Sequence, residues 1–126
     1  MRLSDREWKV LEVLWQGEGL ALGPVVEALR PGTGWSRNTV FTYLTRMEGK
    51  GLVTIDKQRV PHLYRPAVAR SDCAAAERRG LLNRVYRGSA GQMVAAFLKE
   101  ETLTAQERDE LRRLLDEMEE IGRAHV

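Results

Sequence analysis

The chain has 126 residues, enough for one ordinary domain or for a small domain with an oligomerising segment. Its lone cysteine, Cys73, excludes an intrachain disulfide and a cysteine framework for zinc or copper. No apolar run is long enough to cross a bilayer and the N-terminus lacks a signal-peptide layout, so a cytoplasmic protein without membrane insertion is expected. The net charge of +2 averages two unlike portions: residues 1–69 carry ten Lys/Arg against seven Asp/Glu, while residues 99–120 carry four against nine.

Ser4-Asp5-Arg6-Glu7 has the form of a capping box, with Leu3 and Trp8 placed to staple across it. The helix it starts turns Trp8, Leu11 and Trp15 to one side, and Gly17 and Gly19 end it. A short second helix is predicted to begin near Pro24, a residue suited to the first helical position, and to carry Val25, Val26 and Leu29 inward. Arg30-Pro31-Gly32-Thr33-Gly34 reads as the turn after it. Ser36 is a good N-cap for a third helix running to about Lys50 and stopping at Gly51. At 100° per residue, Val40, Tyr43, Leu44 and Met47 fall on the buried side. Asn38, Thr42, Thr45 and Gly49 fall on the outer side, flanked by Phe41 and Arg46. Leu52 to Lys57 and His62 to Pro66 are the short strands of a hairpin, joined by Gln58-Arg59-Val60-Pro61.

Helix, turn, helix, glycine stop and basic hairpin, in that order, make a winged helix-turn-helix, a form that places one rod in a DNA groove with a wing beside it. Arg30, Arg37, Arg46, Lys50, Lys57, Arg59 and Arg65 face only Glu48 and Asp56 in this stretch. Double-stranded DNA is therefore the expected partner. Base reading falls to Asn38, Thr39, Thr42 and Arg46, with Phe41 available to pack on a thymine methyl. Ser36, Arg37, Lys57 and Arg59 are candidates for the phosphate backbone. His62 and His125 are assigned no role.

Beyond Pro66 the chain reads as three helices, about 72–87, 89–100 and 104–120, the last two introduced by capping boxes at Ser89 and Thr104. Leu81, Leu82, Val85 and Tyr86 form one apolar stripe. Met93, Val94, Phe97 and Leu98 form a second, and Leu111, Leu114, Leu115 and Met118 a third. Three short helices have too little volume to bury three stripes among themselves, and pairing with a second copy about a two-fold axis is the expected solution. The acidic tail would be repelled by DNA while the basic portion is drawn in. The fold expected is mainly α with a small β wing: a winged-helix DNA-binding domain at 1–69 and a helical dimerisation domain at 70–126.

With these residues laid out, the chain resembles the BlaI/MecI/CopY family of bacterial penicillinase-type repressors. The likeness runs through Leu3-Ser4, Glu7-Trp8, Trp35-Ser36-x-x-Thr39-Val40, Thr42, Arg46, Lys50-Gly51-Leu52-Val53, Tyr64-Arg65-Pro66 and Gly88-Ser89. It implies a homodimer on a palindromic operator that blocks transcription, and, in the β-lactam-responsive branch, release when a membrane sensor protease triggers cleavage in the dimerisation domain. The bond cleaved in the family is Asn-Phe; the aligned pair here is Ala96-Phe97, which keeps the Phe and lacks the Asn. Phe41 stands where relatives often carry Arg. The Cys-x-Cys tail of the copper branch is absent, which argues against metal sensing, and no cofactor is implied.

The nearest rival from another class is a dimeric winged-helix module that contacts protein and not DNA; it would lack salt-steep DNA binding. An enzyme is not expected, because the chain has no Gly-x-Ser-x-Gly, His-Glu-x-x-His or phosphate-binding Gly-rich loop and no Cys/His pair at catalytic spacing.

Overall fold

A computed structural model describes residues 2–124, and His125 lies outside them. The elements are α1 (Asp5–Trp15), α2 (Leu22–Thr33), α3 (Arg37–Gly49), β1 (Val53–Asp56), β2 (Leu63–Pro66), α4 (Arg70–Val85), α5 (Ala90–Glu100) and α6 (Ala105–Ala124). The fold is mainly α with a small β wing, as the sequence implies. Two compact units divide it, Met1–Leu81 and Leu82–Val126.

In the first unit α1 starts with both halves of the Ser4/Glu7 capping box: Ser4 Oγ accepts from the Glu7 N–H at 3.1 Å, and Glu7 Oε1 accepts from the Ser4 N–H at 2.9 Å. The helix buries Glu7, Val10, Leu11 and Leu14. Trp8 and Trp15 are half-buried at the edge of that face, ring edge to ring face at 5.6 Å. The expected stripe of Trp8, Leu11 and Trp15 was thus rotated: the i, i+3, i+4, i+7 set Glu7, Val10, Leu11 and Leu14 forms its centre, and the acid belongs to it.

Helix α2 starts near Pro24, as expected, and departs from expectation at its C-terminal end. It begins at Leu22, so Pro24 occupies the third helical position, where its missing N–H would have been an orphan in any case. It also continues through Pro31 to Thr33 and ends at Gly34, whose φ of 66° and N–H to the Arg30 carbonyl close it. Proline forfeits the bond to the carbonyl four residues back, but Pro31 lies on the exposed side, where water can serve that carbonyl. The Thr33 hydroxyl donates to the Leu29 carbonyl at 2.7 Å and holds the last turn.

Ser36 caps α3, and Gly51 with φ 77° completes a Schellman ending in which the Leu52 N–H bonds Met47 O at 2.9 Å and the Gly51 N–H bonds Glu48 O at 3.0 Å. That ending turns the chain directly into β1, which pairs antiparallel with β2, Ile55 opposite Tyr64. On its other side Tyr64 makes a bridge to Leu20, with N–H to O distances of 3.1 and 2.7 Å. The turn between α1 and α2 therefore supplies a third rung to the wing sheet. Val10, Leu11, Leu14, Val25, Val26, Leu29, Val40, Leu44, Met47, Leu52, Val53 and Tyr64 form the core these elements share.

In the second unit Ser89 caps α5 through the Gln92 N–H, and Thr104 and Glu107 cap α6 reciprocally at 3.0 and 3.1 Å. No residue of α5 is buried, and Val85, Val94, Phe97, Leu98, Leu114, Leu115, Met118 and Ile121 are each more than two-fifths exposed. No described helix is long and apolar enough to cross a membrane.

Candidate nucleic-acid interface

The outer face of α3 is set by the burial of its inner one. Val40, Leu44 and Met47 are sealed in the core, so positions 38, 42, 45 and 46 point to solvent. Tyr43 lies between the two faces, stacked on Trp35 at 4.9 Å with its hydroxyl accepting from Arg6 at 3.0 Å. Trp35 and Arg6 thus fix the rotation of the helix from one flank.

Asn38, Thr39, Thr42 and Arg46 line one shallow concavity on this face, together with Tyr43. Phe41, 47% exposed, lies outside it. The hydroxyls are already partly committed. Thr42 donates to the Asn38 carbonyl at 2.9 Å, leaving its methyl and lone pairs outward. Thr39 Oγ1 accepts from Ser36 Oγ at 3.1 Å, and Ser36 Oγ accepts from the Thr39 N–H at 3.2 Å. Ser36 and half-buried Thr39 therefore hold the helix start, while the Asn38 and Arg46 side chains have no hydrogen-bond partner among the described residues.

The basic residues are not equivalent. Lys50 donates to the buried Glu7 carboxylate at 2.9 Å, so it acts inward, away from the positive patch in which the sequence places it. Arg30 pairs with Glu27 at 2.7 Å, Lys57 with Glu48 at 3.5 Å, and Arg59 and Arg65 share Asp56 at 3.2 and 3.9 Å. Arg37 and Arg46 carry no ion pair among the described residues. The unbalanced charge of this surface is concentrated on α3. The wing turn presents Lys57, Arg59 and the almost fully exposed Val60.

Reading the residues alone missed two anchors of this surface. One is the Glu7–Lys50 pair; the other is Trp15, whose indole N–H donates to the Val68 carbonyl at 2.9 Å. No local pattern announces either, since their partners lie 43 and 53 residues away.

Of the residues in the three apolar stripes, Leu81, Leu82, Tyr86, Met93 and Leu111 are half-buried, whereas Val85, Val94, Phe97, Leu98, Leu114, Leu115 and Met118 are exposed. Ala96 and Phe97 lie in the interior of α5, Ala96 half-buried and Phe97 48% exposed. Among the described residues no cluster of three or more His, Cys, Asp or Glu could hold a metal ion.

Residues 3–117 match the model of the penicillinase repressor family. The chain belongs to the penicillinase repressor family. It is similar to the penicillinase repressor of Bacillus licheniformis, with 31% identity over 92% of this chain and 91% of that one. It is similar also to the methicillin resistance regulatory protein MecI of Mammaliicoccus sciuri, with 28% identity over 90% and 93%. Among solved structures it resembles Bacillus licheniformis BlaI, determined in solution as the monomeric form in complex with the blaP half-operator. That likeness has 30% identity and a TM-score of 0.50, and it covers 57% of this chain and 88% of that one.

Proposed function

We propose that this penicillinase repressor family member is a dimeric transcriptional repressor that binds a palindromic operator in double-stranded DNA through α3 and the wing turn. The observation that carries the reading is the likeness to a BlaI structure solved on an operator half-site. The surface of α3 supports it: an unpaired Arg46 and Asn38 border a concavity, and Arg and Asn are the side chains that make bidentate contacts with guanine and adenine. Arg37 at the helix start and Lys57 and Arg59 on the wing would supply phosphate contacts, the wing residues by exchanging a carboxylate for a phosphate. The compartment that goes with this role is the cytoplasm.

The second copy is argued from surface chemistry. Val94, Phe97, Leu98, Leu114, Leu115 and Met118 are all exposed, a surplus of large apolar side chains on two helices that pairing with a second copy would cover. Linking two reading helices makes the second half-site contact effectively intramolecular, so loss of pairing would release DNA without any change in α3. A sensor protease acting at Ala96-Phe97 would work through that route, and because the bond is inside a helix, cleavage would require α5 to open locally.

The test is titration of the purified protein into DNA from its own upstream region and into a scrambled control at two salt concentrations. Selective binding that weakens steeply with salt is expected. No binding to either DNA at low salt would overturn the reading.

A further inference from the structure

A second pocket in the first unit, about 430 Å³, opens between the start of α2, the start of α3 and the wing, and Leu22, Gly23, Arg37, His62 and Tyr64 are among the residues that line it. Its chemistry is one-sided. The first turn of α2 has N–H groups with no acceptor inside the helix, and its N-cap, Ala21, offers no side chain to bond them. The Arg37 guanidinium sits just over that turn: a β-carbon placed on Gly23 would meet its Nη1 at 3.9 Å. Arg37 has no carboxylate partner among the described residues, and none of the residues lining the pocket is acidic.

Tyr64 supplies the independent sign of a ligand. Only 3% of it is exposed, yet its hydroxyl has no hydrogen-bond partner among the described residues. No side-chain oxygen there is both fully sealed and unpaired, so the hydroxyl keeps contact with the outside, and the pocket is what Tyr64 lines. Its backbone N–H and C=O both bond Leu20, and it sits opposite Ile55 in the sheet, so its backbone is held in place. Glu48, which acts electrostatically on the same phenol, is tied to Lys57. Uncapped amides, an unpaired guanidinium and an unpartnered phenol therefore belong to one pocket whose lining includes no carboxylate.

We propose that this pocket is a phosphate cradle, in which the Leu22 and Gly23 amides, Arg37 and the Tyr64 hydroxyl donate to a single phosphodiester of the bound DNA strand. The inference rests on the DNA-binding reading and adds a positioning site outside α3's reading face. Helix N-termini with uncapped amides suit phosphate by both geometry and dipole. Tyr64, two strand residues from the wing turn, would lock the wing to the same phosphate that α2 and Arg37 hold. Such a contact fixes register on the duplex and carries no sequence information.

Two measurements test it. In the first, inorganic phosphate is titrated into the full chain at constant ionic strength while the Leu22 and Gly23 amide resonances are followed. Saturable shifts are expected in the wild type, with at least several-fold weaker binding in Tyr64→Phe. In the second, methylphosphonates replace one phosphate at a time in the bound DNA. One position per half-site should cost the wild type about tenfold in affinity and cost Tyr64→Phe clearly less, since both changes remove the same charge-assisted hydrogen bond. Silent amides together with no position coupled to Tyr64 would overturn the cradle while leaving operator binding intact. Responding amides without a coupled position would make a free phosphate the occupant and overturn the DNA assignment. Failure of the wild type to bind any DNA would sink the repressor reading, and the phosphate titration alone would then decide the cradle.

Discussion

Lys50 Nζ lies 2.9 Å from Oε2 of Glu7, so the C-cap of α3 is tied to the third residue of α1. Glu7 Oε1 meanwhile accepts from the Ser4 N–H. One carboxylate thus closes the first helix and clamps the end of the reading helix to it. Burial alone would raise its pKa, but the hydrogen bonds from Ser4 and Lys50, with the charge of Lys50, outweigh that and hold it below the usual value.

A depressed folded pKa contributes stability above the unfolded value, near about 4.3 for Glu, and that stability is lost as pH falls through the folded value. Urea denaturation between pH 7 and pH 3 should therefore show wild-type stability falling in the acid range, with a flatter profile for Glu7→Gln. At pH 7 Glu7→Gln should cost about 1–2 kcal/mol, because a cap bond and a charge-assisted bond weaken while the exposed Lys50 end is screened by water. Parallel pH profiles for the two proteins would remove Glu7 as the source.

Arg46 and Lys57 should fail differently. Arg46→Ala removes a candidate base contact and should cost about 1–3 kcal/mol on operator DNA with relaxed preference at one base position. Lys57→Ala should weaken operator and scrambled DNA alike and lower the salt slope by about one. Quantitative binding at three or more salt concentrations distinguishes the two; a sequence-specific loss for Lys57→Ala would contradict the assignment.

Phe97→Asp and Leu115→Asp each place a charge on the exposed apolar surface of the second unit. Both should shift the protein from dimer to monomer in light scattering at micromolar concentration and reduce operator affinity by at least tenfold through lost linkage. The first unit should keep its thermal transition. A wild type that is already monomeric would refute the pairing.

The indole N–H of Trp15 reaches the Val68 carbonyl, tying α1 to the segment after β2. Trp15→Phe keeps an aromatic ring and drops the donor, and should lower stability by about 1–2 kcal/mol in chemical denaturation. An unchanged midpoint would mean that water replaces the bond at no cost.

Most of the elements could be read from the residues because their signals are local. Ser4 with Glu7, Ser36, Thr104 with Glu107, and Gly51 each act within one helical turn, and a run of side chains repeating every three or four residues fixes which face is buried. The C-terminal end of α2 escapes such local signals for the same reason. Pro31 and Gly32 are local breakers, but Val25, Val26 and Leu29 are packed in the core, and the cap at Gly34 lets the helix run past them.

What the sequence determined by itself was the order of elements, the outward set Asn38, Thr42 and Arg46, and the surplus of apolar residues beyond Pro66. What only the tertiary structure decided was which charges remain unpaired. Lys50 turns inward to Glu7, the wing cations share Glu48 and Asp56, and Arg37 is left over the first turn of α2 beside Tyr64. The reason is one of range. Caps and helical periodicity act over a few residues and are written into neighbouring letters. Ion pairing and the shape of a pocket depend on distances of a few ångströms between segments far apart in the chain, and those distances exist only once the core has brought the segments together.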